Sequence, residues 1–452
     1  MLITILRSMI KNTLCKKMFT VIITVVLLLV SIFMMPPMSS EASDIANPAV
    51  KAKQSNEYSP NTAWELGYTG KGVNIAIMDT GVDDAHPSLK GKMLAGVDFT
   101  KPETPLTPRD GTYDPDDTNG HGTTVAGIAM GTGEPEKKYQ GIAPDAMLID
   151  IKIGTILGIG PGEIPYLQDI YDSALEGIEW AIKHKDTEWK GAPKDNYGID
   201  ILSLSWGIYP EGEAETGGSD GSDEYSTSLN RLVDAGVVVV VSCGNEGPDN
   251  DGLWCMGAAS KVITVGATDD KNTITRTDDV IADYSSRGPR KDNNDDDPYD
   301  ELKPDVVAPG TNIIQAEYDR IGDGSGNGYG DRGSGTSYAS PNVAGVVALM
   351  LEANPGLTPT QIKDIFHQTA EQRGAPEYPD YPYPHNKWNR SYGYGVVDAY
   401  EAVKAAIDFG KEKEEKTGEG AEGGLWFNAA LLISLLIIAA VVVYVIKFRK
   451  KH

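Results

Sequence analysis

The stretch Gly333-Ser-Gly-Thr-Ser-Tyr-Ala-Ser-Pro-Asn-Val-Ala-Gly345 surrounds one hydroxyl, that of Ser337, with small residues. Pro341 then opens an apolar run, Val343 to Leu351, which predicts a helix because proline is tolerated in a first helical turn. Ser337 is therefore expected where a loop becomes a helix. Backbone N–H groups and the positive end of the helix dipole can hold an anion there. Such a turn is also common as a simple helix cap, so the stretch alone assigns no chemistry.

Three polar residues earlier in the chain give Ser337 a chemical context. Asp79 follows the buried-strand pattern Val73 to Met78, His121 stands between two glycines, and Asn245 follows a run of valines and is also flanked by glycines. Each alone has an ordinary structural explanation, such as a turn or a buried histidine. Acid, histidine and serine, however, come in the order in which subtilisin presents its catalytic residues.

The sequence resembles the subtilisin-like serine proteases, the subtilases, on these four motifs and on two further blocks, 302–313 and 393–399. The resemblance extends over residues 58 to 408. It implies a serine endopeptidase that cuts extended polypeptides through an acyl-enzyme intermediate and that requires no cofactor.

The resemblance also implies a role for each of the four side chains. Ser337 would be the nucleophile and His121 its general base, while Asp79 would orient the imidazole and stabilise its charged form. The side-chain amide of Asn245 and the backbone N–H of Ser337 would stabilise the oxyanion. A pseudoenzyme that binds peptides without cutting them would be expected to have lost one of these groups, and none is missing.

Ser205, Trp206 and Gly207 match the strand with which subtilases pair an extended substrate. Such pairing uses backbone hydrogen bonds and leaves alternate side chains to be read by pockets. Trp206 stands where a smaller apolar residue is common, so it is either a pocket wall or a residue of the core.

The region 61–409 is expected to fold as one α/β peptidase domain. Its apolar and amphipathic segments alternate as they do in a mainly parallel central sheet with helices on both faces, and function should lie at the carboxyl ends of the strands. The predicted strands are 73–78, 147–153, 199–205, 237–242 and 262–267. The predicted helices are 123–130, 170–185, 226–235, 341–353 and 358–368.

The chain is strongly acidic. Its 452 residues carry a formal net charge of −25, with a pI near 4.6. A polyanion would be repelled, so nucleic acid is excluded as a partner. The charge fits a self-repelling, soluble surface in an extracellular or salty setting, and selection of basic substrates is the alternative.

Residues 1–42 have the pattern of a secretory signal, with basic residues before the apolar run 19–35 and small residues after it. The run is nearly long enough to remain as an anchor, so cleavage and retention both stay open. The extension 43–60 is too short for the inhibitory prodomain of many secreted subtilases. Either the enzyme folds unaided or this extension packs against the catalytic domain, and we expect the second.

The C-terminal end predicts a membrane anchor. A charged, glycine-rich linker, 410–424, precedes the uncharged run 425–446, which is long enough to cross a hydrocarbon core of about 30 Å. The tail 447–452 is basic and should stay in the cytoplasm. We therefore expect a single-pass protein of the cell membrane with an extracellular catalytic domain.

Three polar insertions, 101–118, 211–224 and 291–300, read either as solvated loops or as rims and calcium sites, because calcium favours clustered carboxylates. Subtilases often bind calcium through an acid shortly after the catalytic aspartate. That position is Ser88 here, so calcium is possible but cannot be placed, and no metal-binding residue is assigned.

Cys243 and Cys255 are the cysteines that lie outside the signal segment. They could be two unpaired buried thiols. The alignment with subtilases suggests the alternative, a disulfide that ties two walls of the substrate pocket in an oxidising exterior.

The biological role stays divided between two readings. One is general degradation of extracellular protein. The other is dedicated processing of an exported partner, as in the mycosins, which share the order of signal, domain, anchor and basic tail.

Overall fold

The computed structural model describes residues 45–101, 107–155, 167–192, 197–207, 218–319 and 328–410. Its centre is an eight-stranded sheet of order β2-β3-β1-β4-β5-β6-β7, with β8 beside β6. Neighbouring strands are parallel except for the β6–β7 pair. The strands are β1 Asn74–Asp79, β2 Met93–Asp98, β3 Met147–Lys152, β4 Ile201–Leu204, β5 Val238–Ser242, β6 Ile263–Asp269, β7 Val280–Ile281 and β8 Val306–Pro309. An antiparallel pair, β9 Ile313–Ala316 and β10 Tyr329–Gly333, lies outside the sheet.

Helices cover both faces of this sheet. They are α1 Ala46–Ala49, α2 His121–Met130, α3 Leu167–His184, α4 Glu224–Asp234, α5 Cys255–Ala258, α6 Thr336–Ala353, α7 Pro359–Thr369 and α8 at 399–410. Alternate residues of β1 enter two separate cores, as the two-residue period of a strand requires: Ile75 and Ile77 join the core that contains α2 and α6, whereas Ala76 and Met78 join the core that contains α3 and α4. The predicted α/β class with a mainly parallel sheet is confirmed.

The start of α6 corrects one prediction. The helix begins at Thr336, so Pro341 lies inside it and does not open it. The missing N–H of Pro341 leaves only the carbonyl of Ser337 without its usual helical donor, in the first turn, where the loss matters least. Ser337 is therefore the second residue of the helix, and its backbone N–H is one of the four that a helix start leaves unpaired.

The N-terminal extension packs on the domain, as expected for the described residues 45–60. Asn47 donates a hydrogen bond to the carbonyl of Gly141 at 2.8 Å. Lys51 forms a salt bridge with Asp398 at 2.5 Å, and the carbonyl of Val50 accepts from the N–H group of residue 399.

The last described helix, α8, runs to the far end of α6. Asn354, which follows α6, donates to the carbonyl of Ala406 at 3.0 Å. Gly410 lies beside the same amide, since a Cβ on this glycine would be 3.2 Å from Asn354 Nδ2. The described chain therefore ends near the C-terminus of α6, the helix whose first turn contains Ser337.

In the described part of the chain, no helix combines the length and the apolar character that a membrane span needs. The predicted signal segment 1–42, the linker after Gly410, the apolar run 425–446 and the basic tail 447–452 lie outside the described residues.

Candidate active site

Asp79 and His121 are hydrogen-bonded to each other at the carboxyl end of the central strand β1. Asp79 is the last residue of β1 and its side chain is 1% exposed, while His121 is the first residue of α2. His121 Nδ1 lies 2.9 and 3.0 Å from the two carboxylate oxygens of Asp79. A carboxylate only accepts, so Nδ1 carries the hydrogen and Nε2 keeps its lone pair. This is the tautomer that can take up a proton.

The close approach of α2 to β1 depends on Gly122. A Cβ at this position would meet the carbonyl oxygen of Gly81 at 2.1 Å and Asp79 Cβ at 3.2 Å. Any larger residue would push the start of α2 away from the aspartate. The glycine that follows His121 therefore has a packing reason.

The environment of His121 favours its protonated form. Burial by itself would lower the pKa of His121, but the adjacent Asp79 carboxylate, helped by Asp117, outweighs burial, so the pKa is raised above its usual 6.5. The guanidinium of Arg332 acts in the opposite direction.

Asp117 holds the loop that delivers His121, and sequence reasoning missed it as part of a polar insertion. The carboxylate accepts hydrogen bonds from the backbone N–H groups of Asn119, Gly120 and Thr123 and from the hydroxyls of Thr80 and Thr123. Its side chain thus ties the residue after β1 to the first turn of α2. Asp117 stands four residues before the first residue of α2, and an aspartate followed closely by Asn and Gly is a usual turn signal, so the pattern was available in the sequence.

Ser337 and Ser205 are connected by a hydrogen bond. The Ser337 hydroxyl donates to the carbonyl of Ser205 at 2.7 Å. The hydroxyl of Ser205 is buried and lies 2.9 Å from that of Ser340, one turn further along α6. The next residue after Ser337, Tyr338, places its ring centroid 5.7 Å from that of His121. The helix start is thereby set between the end of β4 and the start of α2.

Asn245 is exposed and its amide is oriented by the same helix start. Its Oδ1 accepts from both the backbone N–H and the hydroxyl of Thr336, each at 2.9 Å. With the oxygen fixed in this way, Nδ2 is the group that remains to donate toward the cleft.

Gly335 marks the point on which two donors converge. A Cβ on this glycine would lie 3.7 Å from the backbone nitrogen of Ser337 and 3.8 Å from Asn245 Nδ2. The φ of Gly335 is 174°, an extended conformation open to any residue, so the backbone does not require glycine here. What an added methyl would alter is the space in front of the two donors.

Trp206 lies in the core, which decides between its two readings. Its side chain is 8% exposed, belongs to the core on the α3 and α4 face, and donates from Nε1 to the carbonyl of Met78 at 3.1 Å. The indole therefore packs in the core, which favours the interpretation of Trp206 as a core residue. Gly207 lies directly against Trp254, because a Cβ there would meet Trp254 Cε3 at 2.5 Å.

The proposed disulfide between Cys243 and Cys255 is wrong, and the alternative of two unpaired buried thiols is confirmed. Cys243 Sγ lies 3.5 Å from the carbonyl of Ser286, whereas Cys255 faces Asp223. The two sulfur atoms therefore have different neighbours. Burial raises the pKa of both thiols, so neither is a reactive thiolate near neutral pH.

One acidic group in the described residues has the spacing of a metal site. Oxygen atoms of Asp295, Asp300 and Glu301, at the end of the third insertion, lie within 4.8 Å of one another. The buried Arg290 already donates to Asp300 at 2.5 Å and pairs with Glu301 at 3.5 Å. A guanidinium thus supplies positive charge to this group, and calcium stays an expectation.

Comparison with known proteins agrees with this geometry. The subtilase family, Peptidase S8, matches residues 70–395. The chain is 35% identical to serine protease AprX of Bacillus subtilis over 74% of this chain and 67% of that protein, and 29% identical to subtilisin E of the same organism over 75% and 67%. It is 32% identical to bacillopeptidase F of Bacillus subtilis over 83% of this chain but only 24% of that protein. The chain therefore belongs to the subtilase family and is a subtilisin-like serine endopeptidase.

Proposed function

We propose that this protein is a membrane-anchored extracellular endopeptidase in which Asp79, His121 and Ser337 form the catalytic triad and Asn245 contributes to the oxyanion hole. The observation that carries the proposal is the convergence of a carboxylate-bound imidazole, a helix-start serine and an oriented amide at the carboxyl edge of the sheet. Ser205, Trp206 and Gly207 would pair with the extended polypeptide through their backbone groups.

The steps follow from what each group can accept or donate. His121 Nε2 takes the proton of the Ser337 hydroxyl as its oxygen attacks the peptide carbonyl carbon, and the Asp79 carboxylate stabilises the resulting imidazolium. The oxyanion accepts from Asn245 Nδ2 and from the Ser337 backbone N–H. His121 then returns the proton to the leaving amine, and water hydrolyses the acyl-enzyme by the same route. For attack, the Ser337 hydroxyl must exchange its bond to the Ser205 carbonyl for one to His121.

The fall of kcat/KM toward acid pH should have its midpoint above pH 6.5. His121 works only when its Nε2 is unprotonated, and its pKa is raised, chiefly by Asp79, despite the opposing effect of burial. As the pH falls through this raised pKa, the base is lost. The acid limb of kcat/KM reports this group in the free enzyme. A limb centred below pH 6.5 would contradict the assignment.

A matched variant tests the sign of this shift. The Arg332 guanidinium opposes protonation of His121, so Arg332→Gln should move the acid limb to still higher pH. Movement to lower pH would show that another group controls the limb.

The variant Gly335→Ala should lower kcat by about 10²-fold, the lower end of the loss found on removing the oxyanion-hole asparagine of subtilisin itself. The added methyl would be in van der Waals contact with both oxyanion donors and would take up space that the substrate oxygen needs in order to reach them. Thermal unfolding should change little, because the backbone is extended and the nearest atoms to the added methyl, at 3.7 to 3.9 Å, are at ordinary van der Waals distance. Gly328→Ala is the control, since its Cβ would meet no atom within 4 Å. Equal kcat for the two variants would place the oxyanion elsewhere.

The membrane part of the proposal rests on the run 425–446 and its basic flank. The full-length protein should sediment with membranes and resist extraction by carbonate, and protease added to intact cells should remove the catalytic domain. Release of the protein by high salt alone would overturn the anchor.

The role of the enzyme is tested with the full-length protein in detergent. A fluorophosphonate probe should label it on the peptide that contains Ser337. Hydrolysis of unfolded casein would then favour general degradation, and selective cleavage of one co-exported protein without casein hydrolysis would favour dedicated processing. Absence of both labelling and hydrolysis would overturn the catalytic proposal.

A further inference from the structure

Trp254 occupies the space between two segments that flank the candidate active site. Its ring lies against Gly207, after β4, where an added Cβ would meet Trp254 Cε3 at 2.5 Å and Trp254 Cβ at 2.9 Å. The same indole approaches Gly244, after β5, where an added Cβ would meet Trp254 Cε2 at 3.2 Å. Strands β4 and β5 are parallel neighbours in the sheet, so the ring bridges the gap between their carboxyl ends.

The two segments are the ones that hold the reacting groups. The carbonyl of Ser205, two residues before Gly207, accepts the hydroxyl of Ser337 at 2.7 Å. Gly244 directly precedes Asn245, and its carbonyl accepts the Thr336 hydroxyl at 3.2 Å. A substrate carbonyl attacked by Ser337 must place its oxygen at Asn245. The side chain on the acyl side of the scissile bond is carried by the carbon bonded to that carbonyl, so it would lie beside the gap between these segments.

The position of Trp254 is fixed by its neighbours in the chain. It precedes α5 with an extended conformation, φ −57° and ψ 155°, and its carbonyl accepts the N–H of Ala258 at 2.9 Å. Leu253 accepts from the N–H of Ser219 at 2.8 Å. The residue is part-exposed, and its ring lies in the gap between the two segments.

We propose that Trp254 closes the pocket for the acyl-side residue and restricts the endopeptidase to small side chains there, such as alanine or serine. The indole fills the volume that a large apolar side chain of the substrate would otherwise use. Because the ring is in direct contact with Gly207, no substrate side chain can enter between the ring and that segment. The inference rests on the proposed function, since it takes Ser337 and Asn245 as the reacting groups. It adds a residue that sets specificity.

The test compares paired peptide substrates that differ only in the acyl-side residue, alanine or phenylalanine. The wild-type protein should cleave the alanine peptide with the higher kcat/KM. In Trp254→Gly the phenylalanine-to-alanine ratio of kcat/KM should rise by about 10²-fold, within the range by which apolar pockets discriminate side-chain size. Trp254→Phe, which keeps an aromatic ring in the gap, should leave that ratio much closer to the wild-type value.

The outcomes separate this inference from the proposed function. Wild-type preference for phenylalanine would overturn the inference without recourse to any variant, which covers the case in which Trp254→Gly does not fold. An unchanged ratio in a Trp254→Gly protein that still hydrolyses peptides would also overturn it. A wild-type protein that neither reacts with fluorophosphonate nor cuts any peptide would instead overturn the assignment of Ser337 as nucleophile.

Discussion

Replacement of Ser337 by alanine is expected to lower kcat for a peptide amide by about 10⁶-fold, the loss found for the nucleophile of subtilisin, a relative of this protein. Without the hydroxyl no acyl-enzyme can form, and only the weaker stabilisation from the oxyanion donors and substrate binding remains. Fluorophosphonate labelling should disappear as well. The measurement is the initial rate of peptide hydrolysis at saturating substrate, together with labelling of the same preparation.

Ser334→Ala is the matched control for this variant. Ser334 is exposed and three residues away, and its hydroxyl accepts from the backbone N–H of Asn312 at 2.9 Å. Its loss should leave hydrolysis and labelling close to those of the wild type. A Ser337→Ala protein that cuts peptides at the wild-type rate would contradict the catalytic assignment of Ser337.

Asp79→Asn is expected to lower kcat by about 10⁴-fold, as the same change does in the serine-protease triad. The asparagine amide can donate to His121 Nδ1, which would place the imidazole hydrogen on Nε2 and remove the lone pair that must accept the serine proton. The fold should tolerate the substitution because size and shape are nearly unchanged. Rates of hydrolysis and thermal unfolding of the same sample separate the two effects.

Asp234→Asn provides the comparison for Asp79→Asn. Asp234 is 60% exposed in a surface pair with Lys261, and such pairs contribute little. Its substitution should leave kcat within about twofold of wild type, since surface pairs of this kind are worth roughly 0–1 kcal/mol and act on stability, not on the site. If kcat of the folded Asp79→Asn protein falls by less than about tenfold, the argument from the His121 tautomer is wrong.

Five strands of the sheet, β1, β3, β4, β5 and β6, could be predicted because most of their residues are apolar on both faces, whereas β2, β7 and β8 were not predicted. The run of valines in β5 and the pattern of β1 needed no knowledge of their neighbours. Strand β10, Tyr329–Gly333, could not be found in this way, since it is polar and part-exposed and its backbone pairs with β9 outside the central sheet. Its backbone partner, not its composition, makes it a strand.

The candidate site was predictable where a residue stands in a local motif and not where its role depends on distant contacts. Asp79 and His121 were expected as a pair from their motifs, and the structure brings them together. The contact of Trp254 with Gly207 joins residues far apart in sequence, so no local pattern indicates it. The predicted disulfide between Cys243 and Cys255 was wrong because an alignment of two segments does not fix the direction of their side chains.

Helix α6 has a consequence for how a tethered enzyme would face its surroundings. Ser337 stands at one end of this helix, and the described chain leaves at Gly410 beside the other end, about 25 Å away along the axis. If a lipid-embedded segment follows Gly410, as we propose, the tether would join the domain on the side remote from the reacting serine. The serine and the tether would then lie at opposite ends of α6.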